Sequence, residues 1–217
     1  MAEKPEGEGS KRAASKRETR DALIAAALVE FSEHGLDAPS LDAICARAGF
    51  TRGAFYVHFR DREDLMVGVL DTALGSFLDA MIATGGEGED LVRTVDRFAG
   101  ILNLLNASPR GESPSTESSL LVPVHLAQLL DGARRSKRLR RAIVGLLESA
   151  SKRLEDVSRR GQEGGAVRHD VNAHELGRLL LALAVGALVV RDAGLSLDPP
   201  ALRRALVRML SPNREPA

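Results

Sequence analysis

The sequence predicts an all-α protein: a three-helix helix-turn-helix head followed by a larger helical body. Three observations lead there. Ala, Leu and Arg are heavily used, aromatic residues make up only 3% and Trp is absent, a composition that favours helix over sheet. Apolar residues recur at i, i+3, i+4 and i+7 in one stretch after another. Most stretches open on Ser, Thr, Asp or Asn, or close on Gly, as helix ends do.

With 217 residues, 44% of them hydrophobic and 28% charged, the chain can bury one core or carry a small domain packed on a larger one. Its formal net charge is zero, so no global basic excess advertises nucleic acid and any such reading rests on local features. The single cysteine, Cys45, cannot close an internal disulfide. It suits a reducing compartment and a small core position better than a redox or metal site. The N-terminus has no apolar signal region, and the longest apolar run, Leu179 to Val190, is short for a bilayer. A cytoplasmic protein without a membrane partner is therefore expected.

Residues 1–18 combine Glu, Lys, Gly, Ser and Arg and read as a disordered basic arm. Its Lys11, Arg12, Lys16 and Arg17 suit either plain solvation or a neighbouring minor groove. A helix follows from Thr19 to His34, with Leu23, Ala26, Ala27, Glu30 and Phe31 on the helical period and Gly35 at its end. Next, Leu41, Ile44, Cys45 and Ala48 form one face of a short helix that Ser40 caps and Gly49 ends. Thr51 caps a second short helix that turns Ala54, Phe55 and Phe59 inward, with Phe50 the apolar residue of the turn. Asp61 caps a fourth helix, with Glu63 and Asp64 in its first turn, that runs through Leu70, Phe77 and Met81 to about Ala83.

The outward residues of the second short helix are Thr51, Arg52, Gly53, Tyr56, Val57 and His58. A recognition helix needs such a surface, because its N-terminal residues reach base edges in the major groove. Gly53 lets the backbone approach a phosphate closely. Tyr56 and His58 can donate to phosphate oxygens, and Arg52 can meet a guanine edge bidentately. The same pattern also fits a plain helical hairpin in a core.

From Thr19 to Leu65 the sequence resembles the DNA-binding domain of the tetracycline-repressor (TetR) family of bacterial regulators. The resemblance rests on TRDALIAAALVEFSEHGLDAPSL, on DAICARAGFTRGAFYVHF and on DREDL, about a fifth of the chain. It implies phosphate contacts at Ser40, Tyr56, His58 and Arg62. It implies base reading at Thr51, Arg52 and Gly53, with Val57 nearby. Phe50, Cys45 and Arg62 depart from the family's commoner aliphatic, Ala and Lys. Residues 1–64 hold ten Lys or Arg against twelve Asp or Glu, unexpected for a DNA-binding head. Either the basic residues cluster on one face, or affinity is modest.

Residues 66–217 are helical in pattern. Helices are expected over Leu91 to Ala107, Leu120 to Leu130, Ser136 to about Gln162, Ala173 to about Ala193, and Pro199 or Pro200 to Leu210. The Arg and Lys run from Arg134 to Arg141 reads as a solvated helix face. Leu179 to Val190 is apolar almost all round and should be buried all round. The resemblance implies a homodimer through the last two helices, presenting two recognition helices to palindromic double-stranded DNA. It also implies a pocket for a small, largely apolar effector, with Phe77, Met81, Phe98, Leu102, His125 and Gln128 as candidate lining residues. Each of these six has an ordinary core role as the stronger alternative.

The five histidines show no metal-binding spacing, and no nucleophile elbow, phosphate loop or dinucleotide fingerprint occurs. No cofactor, metal or catalytic residue is expected. The sequence thus points to a ligand-responsive DNA-binding transcriptional regulator, a repressor in the first instance. A helical small-molecule-binding protein without sequence-specific DNA binding is the alternative.

Overall fold

The computed structural model describes residues 6–82, 91–107 and 126–212. Among them are nine helices: α1 (Glu6–His34), α2 (Leu41–Ala48), α3 (Arg52–His58), α4 (Arg62–Met81), α5 (Leu91–Ala107), α6 (Leu126–Arg135), α7 (Lys137–Glu163), α8 (Ala173–Asp192) and α9 (Pro199–Leu210).

The helix ends obey local chemistry. Ser40 Oγ accepts from the Ala43 N–H at 3.1 Å, Asp61 Oδ1 from Asp64 at 2.7 Å, Ser136 Oγ from Leu139 at 3.0 Å and Asp198 Oδ1 from Ala201 at 3.1 Å. Gly49 ends α2 in the left-handed region at φ +75°, which only glycine adopts without strain.

Two apolar clusters form. In the head, Leu23, Ala27 and Phe31 of α1 pack with Ile44 and Cys45 of α2, Phe55 of α3 and Phe59. In the body, Phe98 and Leu102 of α5 pack with Leu154 and Val157 of α7, Leu180 of α8 and Leu206 of α9. α4 belongs to both. Its Leu65, Val69 and Leu70 lie in the head cluster, and Phe77, Leu78 and Met81 lie in the body cluster. Ala133 of α6 with Leu139 and Ile143 of α7 also joins the head cluster. A boundary at residue 65 or 66 therefore cuts through a shared core.

Other expectations need correction. α1 begins at Glu6, well before Thr19, so the arm expected to be disordered is helical over its described part. Its Lys, Arg, Glu and Ala are strong helix formers, and low hydrophobicity alone does not outweigh that propensity. α6 continues to Arg135 rather than ending near Leu130. Leu147, expected inward, is exposed on α7.

α8 is not buried all round. Leu176, Gly177, Leu180, Ala184 and Ala187 are covered, whereas Leu179 and Leu183 stand open at 50% and 39% exposure. By length and composition this whole helix is apolar enough to cross a membrane, although its core run was expected to be too short. Here it lies along α7. Gly177 makes that contact: a Cβ there would sit 2.7 Å from the Glu155 backbone nitrogen and 3.0 Å from the Ser151 carbonyl oxygen. Backbone cannot step aside as a side chain can, so the two helices would have to separate. Gly177→Ala is expected to cost about 1–3 kcal/mol of unfolding free energy, measured in urea titrations.

Candidate nucleic-acid interface

α2 and α3 build the candidate surface. Phe55 is fully buried and anchors α3, and Thr51 Oγ1 caps it by accepting from Ala54 at 3.3 Å. The next residue turns the other way. Tyr56 and Val57 are 58% and 62% exposed, and the Phe55 ring meets Tyr56 edge-on at 5.2 Å between centroids. Thr51, Arg52 and Gly53 are exposed beside them.

Gly53 has no internal reason to lack a side chain. A Cβ there would find only Thr51 Oγ1, at an ordinary 3.6 Å. Arg52 Nε donates to Asp42 of α2 at 2.6 Å, with both side chains mostly in solvent. Ser40 is exposed, and its oxygen already accepts a capping bond. Its hydroxyl proton can still be donated outward.

His58 is half-buried at the end of α3. Burial, and then the Lys16 and Arg20 cations of α1, hold its imidazole below the ordinary value of 6.5. Arg20 stacks over the Phe59 ring at 5.3 Å. Cations of the presumed arm therefore reach the recognition helix from α1.

Arg62 departs from its expected role as a phosphate contact. Its Nη2 and Nη1 donate to the carbonyl oxygens of Leu36 at 2.6 Å and Asp37 at 3.2 Å, and the guanidinium lies 5.8 Å from the Phe31 ring centroid. Its Nε is buried without a hydrogen-bond partner among the described residues. A planar fork held by two carbonyls and a ring pins the α1–α2 loop to α4, which leaves little of it to offer a phosphate.

The arginine run read as a solvated face is instead partly a latch. Arg135 donates to Asp37 at 2.7 Å, and Arg138 pairs with Asp61 at 3.4 Å and with Asp64. Within the head, Arg47 of α2 pairs with Glu30 at 2.6 Å and Glu33 at 2.7 Å of α1. Most acids that made the head's charge puzzling are thus matched by arginines. The sequence carries no signal that singles out Arg135 and Arg138 from their neighbours, because their partners lie far away in the chain.

A cavity of about 400 Å³, part of it open to solvent, lies in the body. Met81, Val95, Phe98 and Leu154 form one side, and Leu180, Leu183, Ala184 and Leu206 close the other. Of the residues expected to line a pocket, Met81 and Phe98 do so. Phe77 and Leu102 are buried core residues that do not line it, at 3% and 0% exposure. His125 and the Gln128 side chain lie outside the described residues. Thr94 and Leu91 of α5 complete the lining and were not anticipated, since nothing in their helical spacing sets them apart from core.

Residues 23–69 match the family described as bacterial regulatory proteins, tetR family. The chain belongs to the TetR family. Its TetR-family head is 47% identical over 49 residues to the HTH-type transcriptional regulator AcrR of Shigella flexneri, a stretch spanning 23% of each protein. A longer match, 26% identical, links 81% of the chain to 82% of the HTH-type transcriptional regulator UidR of Escherichia coli K12. SmeT, the repressor of a Stenotrophomonas maltophilia multidrug efflux pump, has the same fold. Its triclosan complex superposes with a TM-score of 0.64 at 24% identity, over 87% of this chain and 89% of that one. The family is one of regulatory proteins rather than enzymes.

One consequence of the His58 environment is testable. The unfolded chain takes up the imidazole proton more readily than the native one does, so acidification from about 6.5 down through the lowered native value favours unfolding. Urea titrations at stepped pH are expected to show stability falling over that interval, and a flatter profile with His58→Gln.

Proposed function

We infer that the chain is a dimeric transcriptional regulator that binds a palindromic operator as a repressor and is released by a small, largely apolar effector. The observation that carries this reading is the open face of α3. A capped helix of seven residues exposes Tyr56 and Val57 and keeps Gly53 without any packing demand, which folding alone does not explain. Thr51, Arg52 and Gly53 read bases, with Val57 against a thymine methyl. Ser40, Tyr56 and His58 hold phosphates.

The dimer uses α8 and α9. Leu179, Ala182, Leu183 and Gly186 form an exposed apolar stripe on α8, and Ala205 and Met209 are exposed on α9. A twofold axis through such a stripe pairs it with itself and sets two recognition helices on one operator. Leu183→Arg is expected to shift the protein to monomer in analytical ultracentrifugation and to weaken operator binding.

The effector occupies the body cavity, as the complex of SmeT with triclosan suggests by analogy. An effector releases DNA only by binding the incompetent head spacing more tightly than the competent one. α4, shared by both cores, and the Arg135 and Arg138 latch transmit that preference.

Selection of genomic fragments on the purified protein at two salt concentrations tests the reading. A palindrome should be recovered. Tyr56→Ala and His58→Ala should weaken binding to every sequence, and Arg52→Ala should also relax one position at about 1–3 kcal/mol. Arg62→Ala should lower the melting temperature while leaving the salt slope unchanged, unlike loss of a phosphate contact. Recovery of no sequence by the wild type would reduce the protein to a helical small-molecule binder.

A further inference from the structure

The body cavity has one polar feature. Its walls are Leu, Val, Phe, Met and Ala except for Thr94 in the first turn of α5. Thr94 is 7% exposed, one of few buried polar residues among those described. Its hydroxyl makes no hydrogen bond to any described residue. A helical threonine ordinarily bonds the carbonyl a turn earlier, as Thr72 does to Gly68 at 2.9 Å and Ser158 to Leu154 at 2.7 Å. A hydroxyl held in an apolar cavity without a partner is costly until something supplies one.

No charged side chain lines the cavity, so an ionic ligand would lose its hydration with no counter-charge. The mouth lies beside Leu183, which lines the cavity and is 39% exposed. We propose that this cavity binds an uncharged, mainly apolar molecule of the alcohol or phenol class, whose single polar group is held by the Thr94 hydroxyl. The proposal rests on the effector reading above and specifies the chemistry of that site. Apolar walls supply the affinity and cannot tell similar ligands apart. The one hydroxyl supplies the selection, because a ligand without a matching group leaves it unsatisfied.

Calorimetric titration with 4-propylphenol and with propylbenzene separates the two contributions. Wild type is expected to bind the phenol about three- to tenfold more tightly than the hydrocarbon, the worth of one neutral hydrogen bond. Thr94→Val, nearly isosteric, should abolish that preference while leaving propylbenzene affinity unchanged. Thr94→Ser, which keeps the hydroxyl, should restore it. Equal preference in wild type and Thr94→Val would overturn the assignment of Thr94. Failure of both compounds to bind wild type would overturn the cavity as a ligand site altogether. A parallel operator-release assay keeps the two readings apart. Thr94-dependent binding that does not release DNA would sink the effector role and leave the ligand chemistry standing.

Discussion

A single rigid helix buried at both ends in different cores constrains this molecule. α4 sets Leu65 and Leu70 among head residues and Phe77 and Met81 among body residues. Packed side chains do not slide continuously, so α4 cannot tilt in one core without strain in the other. The α6–α7 corner adds a second attachment through apolar contacts at Ala133 and Leu139 and through the arginine latch to Asp37 and Asp61. Two attachments on different sides of the head define a hinge geometry better than either alone. Asp61 serves in both, capping α4 and accepting from Arg138.

The charge distribution follows from the same arrangement. The head holds more acids than bases, yet Glu30 and Glu33 are satisfied by Arg47, and Asp37, Asp61 and Asp64 by arginines of the α6–α7 corner. Exposed pairs of this kind add little stability each. Their larger effect is spatial. They draw negative charge to the junction with the body and leave Lys16 and Arg20 beside the exposed end of α3, close enough to lower the proton affinity of His58.

How much of this was legible in the sequence depended on how local the cause was. Ser40, Gly49, Thr51 and Asp61 each act within a few residues of themselves, so the helix-turn-helix was readable to the residue. Asn172 and Asp198 marked the starts of α8 and α9 for the same reason. The start of α1 was missed because composition signals disorder through lack of burial, while Lys, Arg, Glu and Ala still favour helix. Arg62 was given to DNA because its place in the motif is local, whereas its bonds to Leu36 and Asp37 depend on how the α1–α2 loop folds back. Arg138 and Thr94 were invisible for a like reason: what matters is what stands opposite them in space.

The pair between Arg52 and Asp42 bears on how a regulator searches a chromosome. An arginine meant to read guanine is already occupied before any DNA arrives. A passing phosphate or a wrong base offers it little more than it has, and only a bidentate guanine edge repays the exchange. Asp42 therefore acts as an internal decoy that competes with the vast excess of wrong sites. The protein gives up some grip on its operator and in return spends less time held on sequence that means nothing to it.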